Sequence, residues 1–256
     1  MCLDAEKKNT ITEIDNKAQY HKQVQHLLGQ KYVLAHILIH TIGEFKGMAP
    51  KDVVERIVGE PRIGDVPMGP ELESVKTEEG LQSENSEKVV ESVSYDVSFS
   101  VRMKDGISPM MVNLEDLKTK KEFALYDRAN FYAFHLLASQ KVVDYNDLEP
   151  VYSIGVYMGM EENSLCHIHS EVSDMLEPSS PSAQNYLLNI LKIGVADEVP
   201  ENDDEYKLHR LLWTLFSDRL SGDEKLRIIE IEYSIPITDD IKEEIQTMSN
   251  LEESLR

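Results

Sequence analysis

The sequence predicts an α/β protein in which a mixed sheet is flanked by helices and followed by an all-helical C-terminal region. Three observations carry this reading. Two runs of alternating polarity, Val93 to Val101 and Pro109 to Leu117, flank the Asp105-Gly106 dipeptide, the strongest short-range hairpin signal. A helical pattern follows them and leads into a continuous apolar run from Val151 to Met160, so a crossover joins two parallel strands. Beyond the punctuation from Pro178 to Pro181, every periodic segment has helical spacing.

From Lys17 to Lys46, residues such as Val24, Leu27, Leu28, Val33, Leu34, Ile37 and Leu38 recur at helical spacing, broken once at Gly29. They predict one long or two abutting amphipathic helices. Pro50 opens a short helix that runs to Val58. Residues 59–92 hold Pro61, Pro67, Pro70, glycines and many glutamates without sustained periodicity, and read as an irregular loop. After the hairpin, a helical pattern carries Phe123, Tyr126, Phe131, Phe134 and Leu137, and a further strand is expected from Leu165 to Glu171. Helices are then expected over Asn185–Val195, Glu205–Leu220, Asp223–Tyr233 and Asp239–Ser249. Ser221 with Glu224 forms a capping box, and Thr238 caps the last helix. Residues 1–175 form the sheet-bearing domain and 183–256 the helical subdomain.

On the first hairpin strand Val97, Phe99 and Val101 alternate with Asp96, Ser98 and Ser100. On the second, Met110, Val112 and Leu114 share one face, and Met111, Asn113, Glu115 and Leu117 the other. A two-residue turn at Asp105-Gly106 pairs Val101 with Met110, Phe99 with Val112 and Val97 with Leu114. It also sets Asp96 opposite Glu115 on the polar face. Directly opposed carboxylates repel one another, and a hard divalent cation converts that repulsion into a site. The plainer alternative leaves both on the wet face of a half-solvated sheet.

The chain of 256 residues has a formal charge of −21, which opposes any broad grip on nucleic acid or on an anionic membrane. A nucleic-acid function therefore needs a local basic patch. The best one is Lys118, Lys120, Lys121 and Arg128, beside the carboxylate pair; the alternative is a solvated helix start. With only Cys2 and Cys166 the sequence has no disulfide framework, and with no long apolar run it is expected to be a cytoplasmic protein without membrane contact.

Taken together, the segments Ile11 to Tyr20, Gly59-Glu60-Pro61, Tyr95-Asp96-Val97, Asn113-Leu114-Glu115, Ala138-Ser139-Gln140 and Val151 to Ile154 resemble the PD-(D/E)XK nuclease family transposases of bacteria. Leu211-Leu212, Leu220-Ser221, Glu224-Lys225, Met248 and Asn250-Leu251 extend the likeness over nearly the full length. The resemblance implies a restriction-endonuclease-like PD-(D/E)XK core and Mg²⁺-dependent (or Mn²⁺-dependent) hydrolysis of DNA phosphodiesters. It implies Asp96, Glu115 and the Asp116 main-chain carbonyl as metal ligands. Glu44, near the end of the first helical stretch, is a further candidate ligand, its alternative being an ordinary exposed glutamate. The position two after the glutamate is normally Lys, or Gln in this family, and positions the attacking water; here it is Leu117, which can neither donate nor accept a hydrogen bond. Three accounts of Leu117 stand open: Lys118 or Lys120 reaches back into the site, the metal acts alone at a cost in rate, or the chain keeps the fold without the chemistry. In the last case it is a scaffold that binds a protein partner or a second copy of itself.

His36 and His40 are four apart on a helix, with no third ligand apparent, and read as core-edge histidines rather than chelators. Cys166, His167 and His169 invite a zinc reading, but on a strand Cys166 points away from the two histidines. Trp213, Leu211, Leu212, Leu215 and Phe216 read as helix core.

Overall fold

The computed structural model describes residues 16, 18–64, 96–116, 123–169 and 187–255. The helical pattern at the start becomes two helices, α1 (residues 18–28) and α2 (Lys31–Thr41). The break falls at Gly29, where an added Cβ would lie 2.9 Å from the Ile63 side chain. A short 3₁₀ turn, Gly43–Phe45, leads to α3 (Pro50–Val54), which ends earlier than the sequence predicts. The chain then enters β1 (Ile57–Ile63), within a stretch the composition assigns to a loop. Two features hide this strand: Gly59 sits at positive φ, 67°, in a bulge between Val58 and Arg62, and Pro61 is tolerated because β1 is a sheet edge. The rest of the predicted loop, 65–92, and the first three residues of the predicted strand, 93–95, lie outside the described residues.

β2 (Val97–Arg102) and β3 (Ile107–Asp116) form the expected antiparallel hairpin in a different register. Phe99 faces Met110 and Val97 faces Val112, so the strands are joined by the four residues 103–106, with the Met103 N–H bonded to the Gly106 carbonyl at 2.8 Å. The shift between the two registers is two residues. A period-two pattern is preserved by such a shift, so matching apolar faces cannot distinguish them.

α4 (Phe123–Ala138) crosses over to β4 (Val151–Met160), which runs parallel to β3. β5 (Ser164–His169) and β6 (Leu188–Ala196) complete a six-stranded mixed sheet of order β1-β2-β3-β4-β6-β5. The helix predicted over Asn185–Val195 is therefore a strand. Its run Leu-Asn-Ile-Leu-Lys-Ile-Gly-Val-Ala is buried almost throughout, and a short apolar run of this kind fits helix or buried strand equally well.

Both sheet faces are covered. Met110, Val112, Ile154, Val156, Leu191 and Ile193 share one core with α1, α2 and the C-terminal helices. On the other face α4 lays Leu136 over Met111 and Val151, and Ala129 and Ala133 over Ile190. Met111 and Asn113, expected on a wet face, are consequently buried.

The C-terminal helices α5 (Lys207–Phe216), α6 (Gly222–Tyr233) and α7 (Asp239–Leu255) follow. Ser221 and Glu224 form the predicted capping box, and Thr238 Oγ1 accepts from the Ile241 N–H at 3.3 Å. A buried ion pair, Lys225 Nζ to Glu252 Oε2 at 3.1 Å, joins α6 to α7, and the Tyr20 hydroxyl donates to Glu252 from α1 at 3.4 Å. Among the described residues no helix is long and apolar enough to cross a membrane.

Candidate functional site

Asp96 stands immediately before β2, beyond the last β2–β3 pair, Val97–Val112, while β3 continues beside β4. Its carboxylate takes over the interrupted ladder: Oδ2 accepts from the Leu114 N–H at 2.7 Å. Its own N–H donates to Asn113 Oδ1 at 3.0 Å, and its carbonyl accepts from the Gly64 N–H at 3.0 Å. Asp96 therefore lies beside Asn113 and Leu114, not opposite Glu115. Glu115 is two residues further along β3, roughly 7 Å of strand.

Two side chains from one face of α1 converge on the same carboxylate. Gln25 Nε2 donates to Oδ1 at 3.0 Å, and His21 Nε2 lies 3.4 Å from it. Gln25 is buried, whereas the His21 side chain is 56% exposed. Burial pushes the Asp96 carboxyl up, but the hydrogen bonds from His21, Gln25 and Leu114 together outweigh it and hold the group below the usual carboxylate range. Asp96 is thus a fixed anion at neutral pH. Among the described residues Oδ1 faces Gln25 and His21, and Oδ2 faces the Leu114 N–H.

Sequence reasoning passes over His21 and Gln25. Their i, i+4 spacing was the only available signal, and it is lost among the many polar residues of that helix.

The other expected residues divide. Glu115 and Asp116 end β3 opposite Tyr157 and Met158 of β4, and their side chains lie outside the described part. Leu117, Lys118, Lys120 and Lys121 lie outside the described residues, and Arg128 belongs to α4, its side chain likewise outside. Glu44 is exposed on the 3₁₀ turn and near Tyr152; burial, and then the Glu44 charge, push the Tyr152 phenol up. Tyr152 pairs with Met110, four residues and about 13 Å along the strand from the pair Leu114–Val156. Glu44 and Asp96 are therefore at opposite ends of the sheet, and the α-helical contribution to the Asp96 site comes from Gln25 and His21 instead.

His36 is buried, as expected of a core-edge histidine, and its Nε2 meets the Tyr233 carbonyl at 3.0 Å. Burial pushes its pKa down to about 4. On β5, His167 contacts Asn189 Oδ1 at 3.0 Å and Cys166 is an exposed free thiol. Among the described residues no group of three or more His, Cys, Asp or Glu side chains is placed to hold a metal ion. No protein-family model, curated protein or solved structure matches the chain.

Proposed function

We propose that this chain is a slow, Mg²⁺-dependent DNA endonuclease of the PD-(D/E)XK transposase type, its metal held by Asp96, Glu115 and the Asp116 main-chain carbonyl. The observation that carries the reading is the Asp96 carboxylate, which accepts from Gln25 and from the Leu114 N–H with the His21 ring beside it, just before the start of β2.

A bound divalent cation at this position orients an attacking water and stabilises the charge that develops on the scissile phosphate. This chain's residues perform the remaining tasks. Gln25 and His21 fix the orientation of the Asp96 carboxylate, and the Leu114 N–H holds its second oxygen. Lys118, Lys120, Lys121 and Arg128 supply the cations for DNA phosphates in an otherwise strongly acidic protein. Leu117 cannot hold the attacking water, and a loss of about 10² to 10⁴ in rate follows.

Plasmid nicking with Mg²⁺ or Mn²⁺ tests this, comparing wild type, Asp96→Ala and Leu117→Gln. Leu117→Gln is expected to nick faster than wild type, and Asp96→Ala not at all. If Leu117→Gln shows no nicking above the Asp96→Ala background, the enzyme reading is abandoned.

The second reading is a non-catalytic scaffold that binds a protein partner. The same contacts favour it, since an aspartate whose oxygens already bond Gln25 and Leu114 has a structural task of its own. Gel-shift titration at low salt separates the two. Sub-micromolar binding to duplex DNA that weakens steeply with salt would sink the scaffold reading.

A further inference from the structure

A cavity of about 590 Å³ lies between the end of α2, the turn before α3, β5 and the first turn of α5. Its walls include His36, His40, Lys46, Lys207 and His209, with apolar surface from residues such as Ile39 and Leu165. We propose that this cavity binds a heteroaromatic organic anion of mononucleotide size.

The volume is typical of a small-ligand site, as is an apolar lining with a few polar groups. Two of those polar groups are anomalous. His36 and His209 are each 4% exposed, and each presents its Nε2 to a main-chain carbonyl, of Tyr233 and of Ser164, at 3.0 Å. A carbonyl only accepts, so both Nε2 atoms carry the proton and both Nδ1 atoms are left as lone-pair acceptors. Among the described residues neither Nδ1 has a partner, and an unpaired buried acceptor costs stability. His40 is half-buried and uses the other nitrogen: its Nδ1 donates to the His36 carbonyl at 2.7 Å, so its Nε2 is the acceptor. Burial pushes the pKa of His36 and of His40 down, so both are neutral at pH 7 and offer imidazole faces rather than charge.

The charge comes from Lys46 and Lys207. Neither forms an ion pair among the described residues, although the chain carries 47 acidic side chains against 26 basic ones. Asp204 and Glu205 also line the cavity, beside the first turn of α5. The arrangement fits a ligand with an anionic group for the lysines, a flat ring for the His40 imidazole and Leu165, and an amino donor for His40 Nε2. This inference does not depend on the nuclease reading.

Calorimetric titration of the full chain with adenosine 5′-monophosphate tests it, with adenosine and inorganic phosphate in separate arms. The nucleotide is expected to bind saturably, and each fragment at least tenfold more weakly. The Lys46→Ala/Lys207→Ala double variant is expected to lose at least tenfold in affinity at an unchanged thermal midpoint, and Asp96→Ala to bind as wild type does. Absence of saturable nucleotide binding at millimolar concentration overturns the proposal. So does undiminished binding by the lysine variant, loss of binding in Asp96→Ala, or phosphate alone binding as tightly as the nucleotide.

Discussion

Asp96 illustrates how a residue singled out by its sequence can take partners other than the predicted one. The sequence identifies it as an acid on the polar side of a hairpin, and the structure surrounds it with Leu114 N–H, Gln25 and His21. Those partners make it part of the fold before any metal is considered. Asp96→Ala removes the acceptor of the Leu114 N–H and one acceptor of the Gln25 amide, a cost of about 1 to 3 kcal/mol. Urea unfolding in the presence of a chelator measures it, and an unchanged midpoint would show the contacts to be dispensable. His36 carries a second effect at this scale. Its pKa falls from 6.5 to about 4 on folding, so between these values the unfolded chain binds more protons. Stability is therefore full above pH 6.5 and is lost as the pH falls towards 4, by about 2 kcal/mol at pH 5. Unfolding curves for wild type and His36→Gln at pH 7.5 and pH 5 check the sign, and the variant is expected to lose less on acidification.

At the scale of elements, legibility followed periodicity. The start of β4 at Val151 and its end at Met160 are as the sequence predicts, because a continuous apolar run between polar flanks has one reading in a parallel sheet. β6 has the same kind of run, but it follows a proline cluster and precedes true helices, so its neighbours suggest the wrong class. β1 is concealed by Gly59 and Pro61. The hairpin register fails for a stricter reason: a two-residue shift leaves every side chain on its face, so only the loop chemistry discriminates, and Asp105-Gly106 belongs to a four-residue connection. His21 and Gln25 are invisible for a related reason, because their role depends on where α1 crosses the end of β2. The C-terminal elements hold together partly through Lys225 and Glu252, whose pairing no local pattern announces. Lys225→Met alone strands a buried carboxylate and is expected to cost about 3 to 5 kcal/mol, most of it recovered in Lys225→Met/Glu252→Leu. A double variant no more stable than the single one would show that the pair contributes something other than charge compensation.

For the whole molecule, the central tension is between a charge of −21 and a proposed DNA substrate. Under the proposed function, a divalent cation beside Asp96 would ease it locally by meeting the phosphates with positive charge. Among the described residues helices cover both sheet faces, and Asp96 lies at an end of the sheet, where its carboxylate meets the Leu114 N–H. The most direct test is calorimetric titration with Mn²⁺ of wild type, Asp96→Ala and Glu115→Ala, each first shown to be folded. The account predicts one saturable site in the wild type that is lost in both variants. Wild type that binds no Mn²⁺, or Glu115→Ala that binds it as well as wild type does, would contradict the claim that Asp96 and Glu115 hold a metal together.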